Sequence, residues 1–364
     1  MPAPVYYSDY LQLGKVLDAQ KLESELAGNP AHDEMLFIIT HQTYELWFKQ
    51  IVFELESIID IFDDPVVEHK NMGVVIHRLA RIKTIQRVLI EQITIIETIT
   101  PLDFLEFRDL LVPASGFQSV MFKRIEIMLG IRRKMRIPAD QEFFHSRLSS
   151  PDLKELDELE KKPTLSKLTD RWLARMPFLE FNGFNFWSEY NLAIKKMLAS
   201  DKKIIEDNDT LTDRETAIQV ADLQNTQDRF DSMLDETKFN KAREEGIYRF
   251  SHQGFLAALF INLYRDEPML YTPFRYLTLL ADIDELFTTW RQRHATMVQR
   301  MLGTKIGTGG SSGHSYLDRT TQNNRVFTDL FNLSTFLLPR NELPTLPDEL
   351  AKELGNFFSS QNGK

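Results

Sequence analysis

The 364-residue chain predicts an all-α fold, a multi-helix bundle of roughly a dozen helices. Two observations predict it. Apolar residues recur at helical spacing through the long stretches 34–62 and 74–96. Helix-boundary residues then punctuate the rest, with Thr100-Pro101 as an N-cap and first-turn proline and with Gly130 and Gly303 as stops. No strand alternation, hairpin signal or internal repeat stands out against that pattern.

Each element has its own warrant. In 34–62 the stripe is Leu36, Ile39, Leu46, Trp47, Ile51, Leu55, Ile58 and Ile59, which predicts a core helix, and 74–96 predicts a second. From Thr100 a helix runs through Phe104 and Arg108, Pro113-Ala114-Ser115-Gly116 turns the chain, and 117–129 forms the next helix, ending at Gly130. Between 131 and 168 the composition becomes charged and irregular, with one short acidic helix, and this predicts a peripheral insertion in an otherwise single domain spanning 1–364. Helical periodicity returns over 211–233, over 274–302 and in the 325–337 region.

Composition bounds the function. Hydrophobic residues make up 43% of the chain, enough for a sizeable core. The 43 Lys+Arg against 53 Asp+Glu give a net charge of −10, which opposes a generic phosphate-binding surface, so no nucleic-acid partner is expected. Cysteine is absent, which removes disulfides, thiolate ligands and Cys nucleophiles together. The N-terminus lacks a signal-peptide pattern and no stretch approaches ~18 uncharged apolar residues, so a soluble cytoplasmic protein with no membrane partner is expected.

Three aromatic–polar pairs spaced by four residues carry the chemistry: Phe37 with His41, Phe104 with Arg108, and Trp290 with His294. Residues i and i+4 share a helix face, so each pair presents a flat apolar surface and a polar head to one cavity, as a planar amphipathic ligand requires. Among the eight histidines there is no HExxH, and the single Glu142-x-x-His145 lacks the second copy of a di-iron bundle. Haem needs one axial imidazole with apolar walls, a minimum that His294 beside Trp290 meets. A structural histidine at either position, an ordinary ion pair for Arg108 and a plain linker for 307–313 remain open on spacing alone. GTGGSSG (307–313) lacks the Lys-Ser/Thr ending of a Walker loop.

The strings HDEMLFIITHQTYELWFKQ (32–50), PLDFLEFRDLLVPASGFQS (101–119), WRQRHATMVQRMLGTKIGTGGSSG (290–313) and DLFNLSTFLLPR (329–340) together resemble the tryptophan 2,3-dioxygenase family. YSDYLQL (7–13) and the segment 263–287 extend the match, and only about 131–245 contributes no recognisable motif. The resemblance implies a helical bundle enclosing a haem pocket, with one haem b per subunit that is ferrous in the active form. It implies cleavage of the indole C2–C3 bond of L-tryptophan with O2 to give N-formyl-L-kynurenine. His294 matches the proximal iron ligand, with Trp290 beside it. His41 matches the distal histidine that bonds the indole N–H, and Phe37 a wall of the indole pocket. Arg108 matches the arginine that pairs with the substrate carboxylate, and Phe104 covers neighbouring apolar surface. Ser115 and Thr308 fall where the family holds the amino-acid end of the substrate, and Ser115 and Gly116 beside the haem. Tyr7 and Tyr10 fall in a segment that crosses into a neighbouring subunit of a homotetramer. A haem peroxidase, a haem-dependent sensor and a haem-free helical scaffold are the alternatives, separated by incubating the reduced protein with L-tryptophan and air.

Overall fold

The structure is a computed structural model that describes residues 4–133, 148–176, 180, 181, 183–303, 317 and 324–355. In chain order its α-helices are α1 (Tyr7–Leu11), α2 (Leu13–Leu17), α3 (Glu23–Leu26), α4 (Asp33–Asp63), α5 (His69–Ile96), α6 (Pro101–Phe107), α7 (Val120–Leu129) and α8 (Ser150–Lys161). There follow α9 (Leu165–Leu173), α10 (Phe186–Glu206), α11 (Asp213–Leu234), α12 (Glu236–Glu244), α13 (His252–Leu263), α14 (Pro268–Leu302), α15 (Thr328–Asn332) and α16 (Asp348–Leu354). The all-α expectation holds. The helices start where short polar side chains can replace a missing backbone partner: Thr100, Ser119, Ser149, Thr164, Thr212 and Ser251 each accept a backbone N–H three residues on. Each such cap is worth about 1 kcal/mol.

Several boundaries differ from the sequence reading. The helix expected over 117–129 begins at Val120, because Ser119 accepts the Phe122 N–H at 3.1 Å and 116–118 closes instead as a 3-10 turn. The helix expected from 274 begins at Pro268 and carries Pro273 inside it. Pro273 forfeits one intrahelical bond, but Leu270, Tyr276 and Leu277 are buried on either side and hold the helix through it. Residues Phe186–Glu206, passed over in the sequence, form α10, whose stripe of Phe186, Tyr190, Ile194 and Leu198 is one residue wide. A hairpin also exists: Glu180–Phe181 pairs antiparallel with Phe184–Asn185, and Gly183 at φ 84° takes the left-handed turn position. Two-residue strands are too short to show alternation, so only the Asn-Gly dipeptide betrayed it.

The chain divides into two compact units, residues 1–57, 81–162 and 285–325 in one and 58–80, 163–284 and 326–364 in the other. The boundary between Lys162 and Pro163 falls inside the segment expected as an insertion. In the first unit the core gathers Ile93, Ile96 and Ile99, Phe104 and Phe107, and Met297. The expected acidic helix is α8, and its Leu156 is buried against Ile127 of α7. In the second unit the core is aromatic, with Tyr190, Phe186, Phe239, Phe255, Phe260 and Tyr276 fully buried. A buried and a partly buried carboxylate tie its connections together there. Asp329 accepts the backbone N–H groups of Arg249 at 2.9 Å and Phe250 at 2.7 Å, and Asp170 accepts from Ser251 N at 2.8 Å and Oγ at 2.7 Å.

The α4 stripe divides into two faces. Phe48, Ile51, Val52, Leu55, Ile58 and Phe62 are buried, whereas Ile39, Leu46 and Trp47, expected in the core, stay exposed together with Phe53. A helix 31 residues long with apolar residues on both faces satisfies a single-stripe template with either set, which is why the sequence merged them.

Candidate active site

Every candidate residue that comes together does so within the first unit. Phe37 and His41 stand one turn apart on α4 with ring centroids 4.2 Å apart. Phe104 of α6 stacks on the other side of Phe37 at 5.6 Å, and Phe107 meets Phe37 edge-on at 5.6 Å. Trp290 of α14 joins the same apolar cluster and lies parallel to His294, with centroids 5.2 Å apart and planes 3° apart. The aromatic members of the three pairs read from the sequence thus gather in one cluster, supplied by α4, α6 and α14.

His41 has a defined proton. Its Nδ1 lies 2.7 Å from the carbonyl oxygen of Phe37, which can only accept, so Nδ1 carries the hydrogen. Burial lowers its pKa from the ordinary histidine value, with the Phe37 bond opposing, so the ring is neutral at pH 7 and Nε2 is left as an acceptor. His41 is exposed to solvent yet desolvated by the protein around it, the combination expected of a residue lining a concave space.

His294 is half-buried, and burial, followed by the neighbouring His41, pushes its pKa down to about 4. It too is neutral at pH 7, and neither ring nitrogen has a hydrogen-bond partner among the described residues. A neutral imidazole with an available lone pair is the form that ligates a metal. Among the described residues no group of three His, Cys, Asp or Glu could cage a metal ion.

Arg108 opens the 3-10 turn that follows α6, with its side chain 14% exposed. Its ion pair with Asp109 spans 4.0 Å to a carboxylate 90% exposed, a weak contact in water. Ser115 caps the turn 116–118, its N–H donating to Gln118 Oε1 at 3.0 Å and its Oγ accepting from Phe117 N at 3.4 Å. Phe117 packs in one small cluster with Ala295, the neighbour of His294, which brings this turn beside α14. A Cβ added to Gly116 would meet nothing within 4 Å, so space opens above its backbone.

Two sets of expected site residues are not placed by the described chain. Tyr7 and Tyr10 are each 75% exposed, and α1 contains no buried residue, so its own fold does not bring them to the site. Thr308 lies outside the described residues, as does His314. Sequence reasoning missed Tyr44, Phe48 and Phe122, whose rings surround Trp290 at 6.0, 6.2 and 5.1 Å. Tyr44 and Phe48 lie three and seven residues beyond His41 on α4, a spacing that could have found them.

The described part of the first unit is helical and sets two neutral imidazoles, on separate helices, beside aromatic walls. The family described as Tryptophan 2,3-dioxygenase matches residues 2–337. A protein named tryptophan 2,3-dioxygenase from Alteromonas mediterranea is 52% identical over 355 residues, covering 98% of each chain. The proteins of that name from Bdellovibrio bacteriovorus and Dictyostelium discoideum are 49% and 47% identical, covering 98% and 97% of this chain and 99% and 88% of their own. The chain belongs to the tryptophan 2,3-dioxygenase family.

Proposed function

We propose that the protein is a haem-dependent dioxygenase that opens the indole ring of L-tryptophan with O2 to give N-formyl-L-kynurenine, the opening step of tryptophan degradation by the kynurenine route. The observation that carries this reading is the pair of neutral histidines. One has its proton fixed on Nδ1 and offers Nε2 as an acceptor; the other, among the described residues, has no hydrogen-bond partner on either nitrogen.

The residues fit haem b. A porphyrin brings four nitrogen ligands of its own, so the protein needs one imidazole and flat apolar walls, and His294 with its parallel Trp290 supplies both. When bound, the ferrous haem, one per subunit, supplies the O2 chemistry that places both oxygen atoms on the indole C2 and C3. The chain's own residues bind and orient. His41 Nε2 would accept the indole N–H and orient the ring, and Phe37, backed by Phe104, would form the wall. Arg108 would pair with the substrate carboxylate through its two-donor fork, with Ser115 and Thr308 holding the amino-acid end beside it and Ser115 and Gly116 lying beside the haem.

The working form is a cytoplasmic homotetramer in which Tyr7 and Tyr10 of one copy complete the pocket of another. Three features support assembly. α1 and α2 bury nothing, Ile39, Leu46 and Phe53 leave an apolar row at seven-residue spacing along α4, and Val88 and Ile95 repeat that spacing on α5. No helix among the described residues is long and apolar enough to cross a membrane.

The test is the absorption spectrum of purified protein and of His294→Ala, reduced, with and without L-tryptophan. A haem spectrum perturbed by tryptophan and lost in the variant is expected. Full haem in His294→Ala would reject the axial assignment.

A further inference from the structure

A buried charge on the His294 turn of α14, Arg291, has no part in the chemistry above, nor has its partner Glu126 on α7. Arg291 is 5% exposed and follows Trp290 directly, three residues before His294. Its Nη1 donates to the Asn324 carbonyl at 2.9 Å, and its Nη2 donates to Glu126 Oε1 of α7 at 3.0 Å. Glu126 is 3% exposed, and its other oxygen lies 3.6 Å from Lys123 Nζ. The Arg291 guanidinium also sits 5.8 Å from the ring centroids of Phe122 and Phe287. Phe122 in turn packs on Trp290 at 5.1 Å, and Trp290 lies parallel to His294.

We infer that Arg291, held by Glu126, is a positioning residue for the His294 imidazole: together with the Phe122–Trp290 stack it fixes the rotation of the α14 turn, and hence the ring plane, that His294 presents to its ligand. This rests on the reading of His294 as the axial ligand. The physical argument is directionality. Buried ions are costly and apolar side chains of similar size would fill the space as well, so the pair adds little as packing. What it adds is a geometry with few alternatives, because rotating or sliding the turn breaks two charge-assisted bonds together. Apolar contacts alone would let the turn shift by fractions of an ångström, and a ligand ring tolerates that poorly, which is why outer-shell partners tune bound metals.

The test uses the haem-loaded full chain with Arg291→Lys, Glu126→Gln and Phe122→Leu, read by the iron–histidine stretching band of the ferrous protein and by the rate of haem loss to excess apomyoglobin. The inference expects a shifted or broadened band and haem loss faster by roughly 10-fold or more in the two ion-pair variants. A shift in the same sense is expected for Phe122→Leu. Arg81→Lys, which disturbs the Arg81–Glu54 pair elsewhere in the unit, should lower thermal stability without moving the band. If Arg291→Lys does not fold, the nearly isosteric Glu126→Gln decides. A wild-type band and loss rate in the folded variants would overturn the positioning role while leaving the ligand in place. His294→Ala keeps the two apart: a band that survives there would remove the ligand assignment itself.

Discussion

Replacing His41 with alanine removes a single acceptor from the site. The Phe37 carbonyl holds the Nδ1 hydrogen at 2.7 Å, so Nε2 is the nitrogen that can meet the indole N–H, and alanine leaves that donor buried without a partner. An unsatisfied buried donor costs about 1–3 kcal/mol. At 1.36 kcal/mol per decade this is about 5- to 150-fold in kcat/KM, nearer the lower end where water enters the space vacated by the imidazole. The assay compares kcat/KM for L-tryptophan and 1-methyltryptophan in wild type and variant, with haem content followed in parallel. L-tryptophan should lose the full factor, 1-methyltryptophan should lose little or gain, and haem content should hold. Equal losses on both substrates would refute the hydrogen bond. The same argument fixes a pH dependence. The working form is the neutral ring, burial lowers its pKa from 6.5, and activity is lost only as pH falls through that lowered value. The acid limb of kcat/KM should therefore lie below pH 6.5 and be displaced or removed in His41→Ala.

Arg108→Ala should cost roughly 2–5 kcal/mol in binding L-tryptophan, about 30-fold or more, with a much smaller loss for tryptamine; equal losses would point to a structural role. Deleting residues 1–12 should weaken assembly and substrate affinity while haem content persists, and a fully active monomer by sedimentation and kinetics would exclude the shared pocket. Gly254→Ala places a Cβ 2.1 Å from Asp170 Oδ1, which caps Ser251, so it should lower stability by roughly 1–3 kcal/mol in denaturant titration. Asp329 is pushed by burial from 3.8 to about 6, so its carboxylate destabilises the fold increasingly as pH rises across that window. The stability of Asp329→Asn relative to wild type should therefore grow by up to roughly 3 kcal/mol between pH 4 and 6, and a flat difference would contradict the shift.

The site was more legible in the sequence than the architecture around it. Phe37–His41, Phe104–Arg108 and Trp290–His294 are local pairs, and four-residue spacing on a helix fixes their relative direction whatever the tertiary packing. Thr100-Pro101 and Gly130 act through their own backbone and were equally readable. What stayed hidden depends on partners far along the chain. The face of α4 that turns inward is chosen by α5 and α14, and the burial of Arg291 is compensated by Glu126, 165 residues away. Tyr44 and Phe122 reach Trp290 only through the meeting of three helices. α10 was overlooked because a one-residue-wide apolar stripe between lysines reads as a solvated segment until a neighbour covers it.

The central claim is that one site, which would hold haem through His294 and orient the indole through His41, supports insertion of both atoms of O2 into L-tryptophan. Its most direct test is mass analysis of the product made by the reduced protein from L-tryptophan under 18O2. The account predicts N-formylkynurenine carrying both labelled atoms in wild type and no product from His294→Ala. Absence of that product from haem-loaded wild type, or its undiminished formation by His294→Ala, would contradict it.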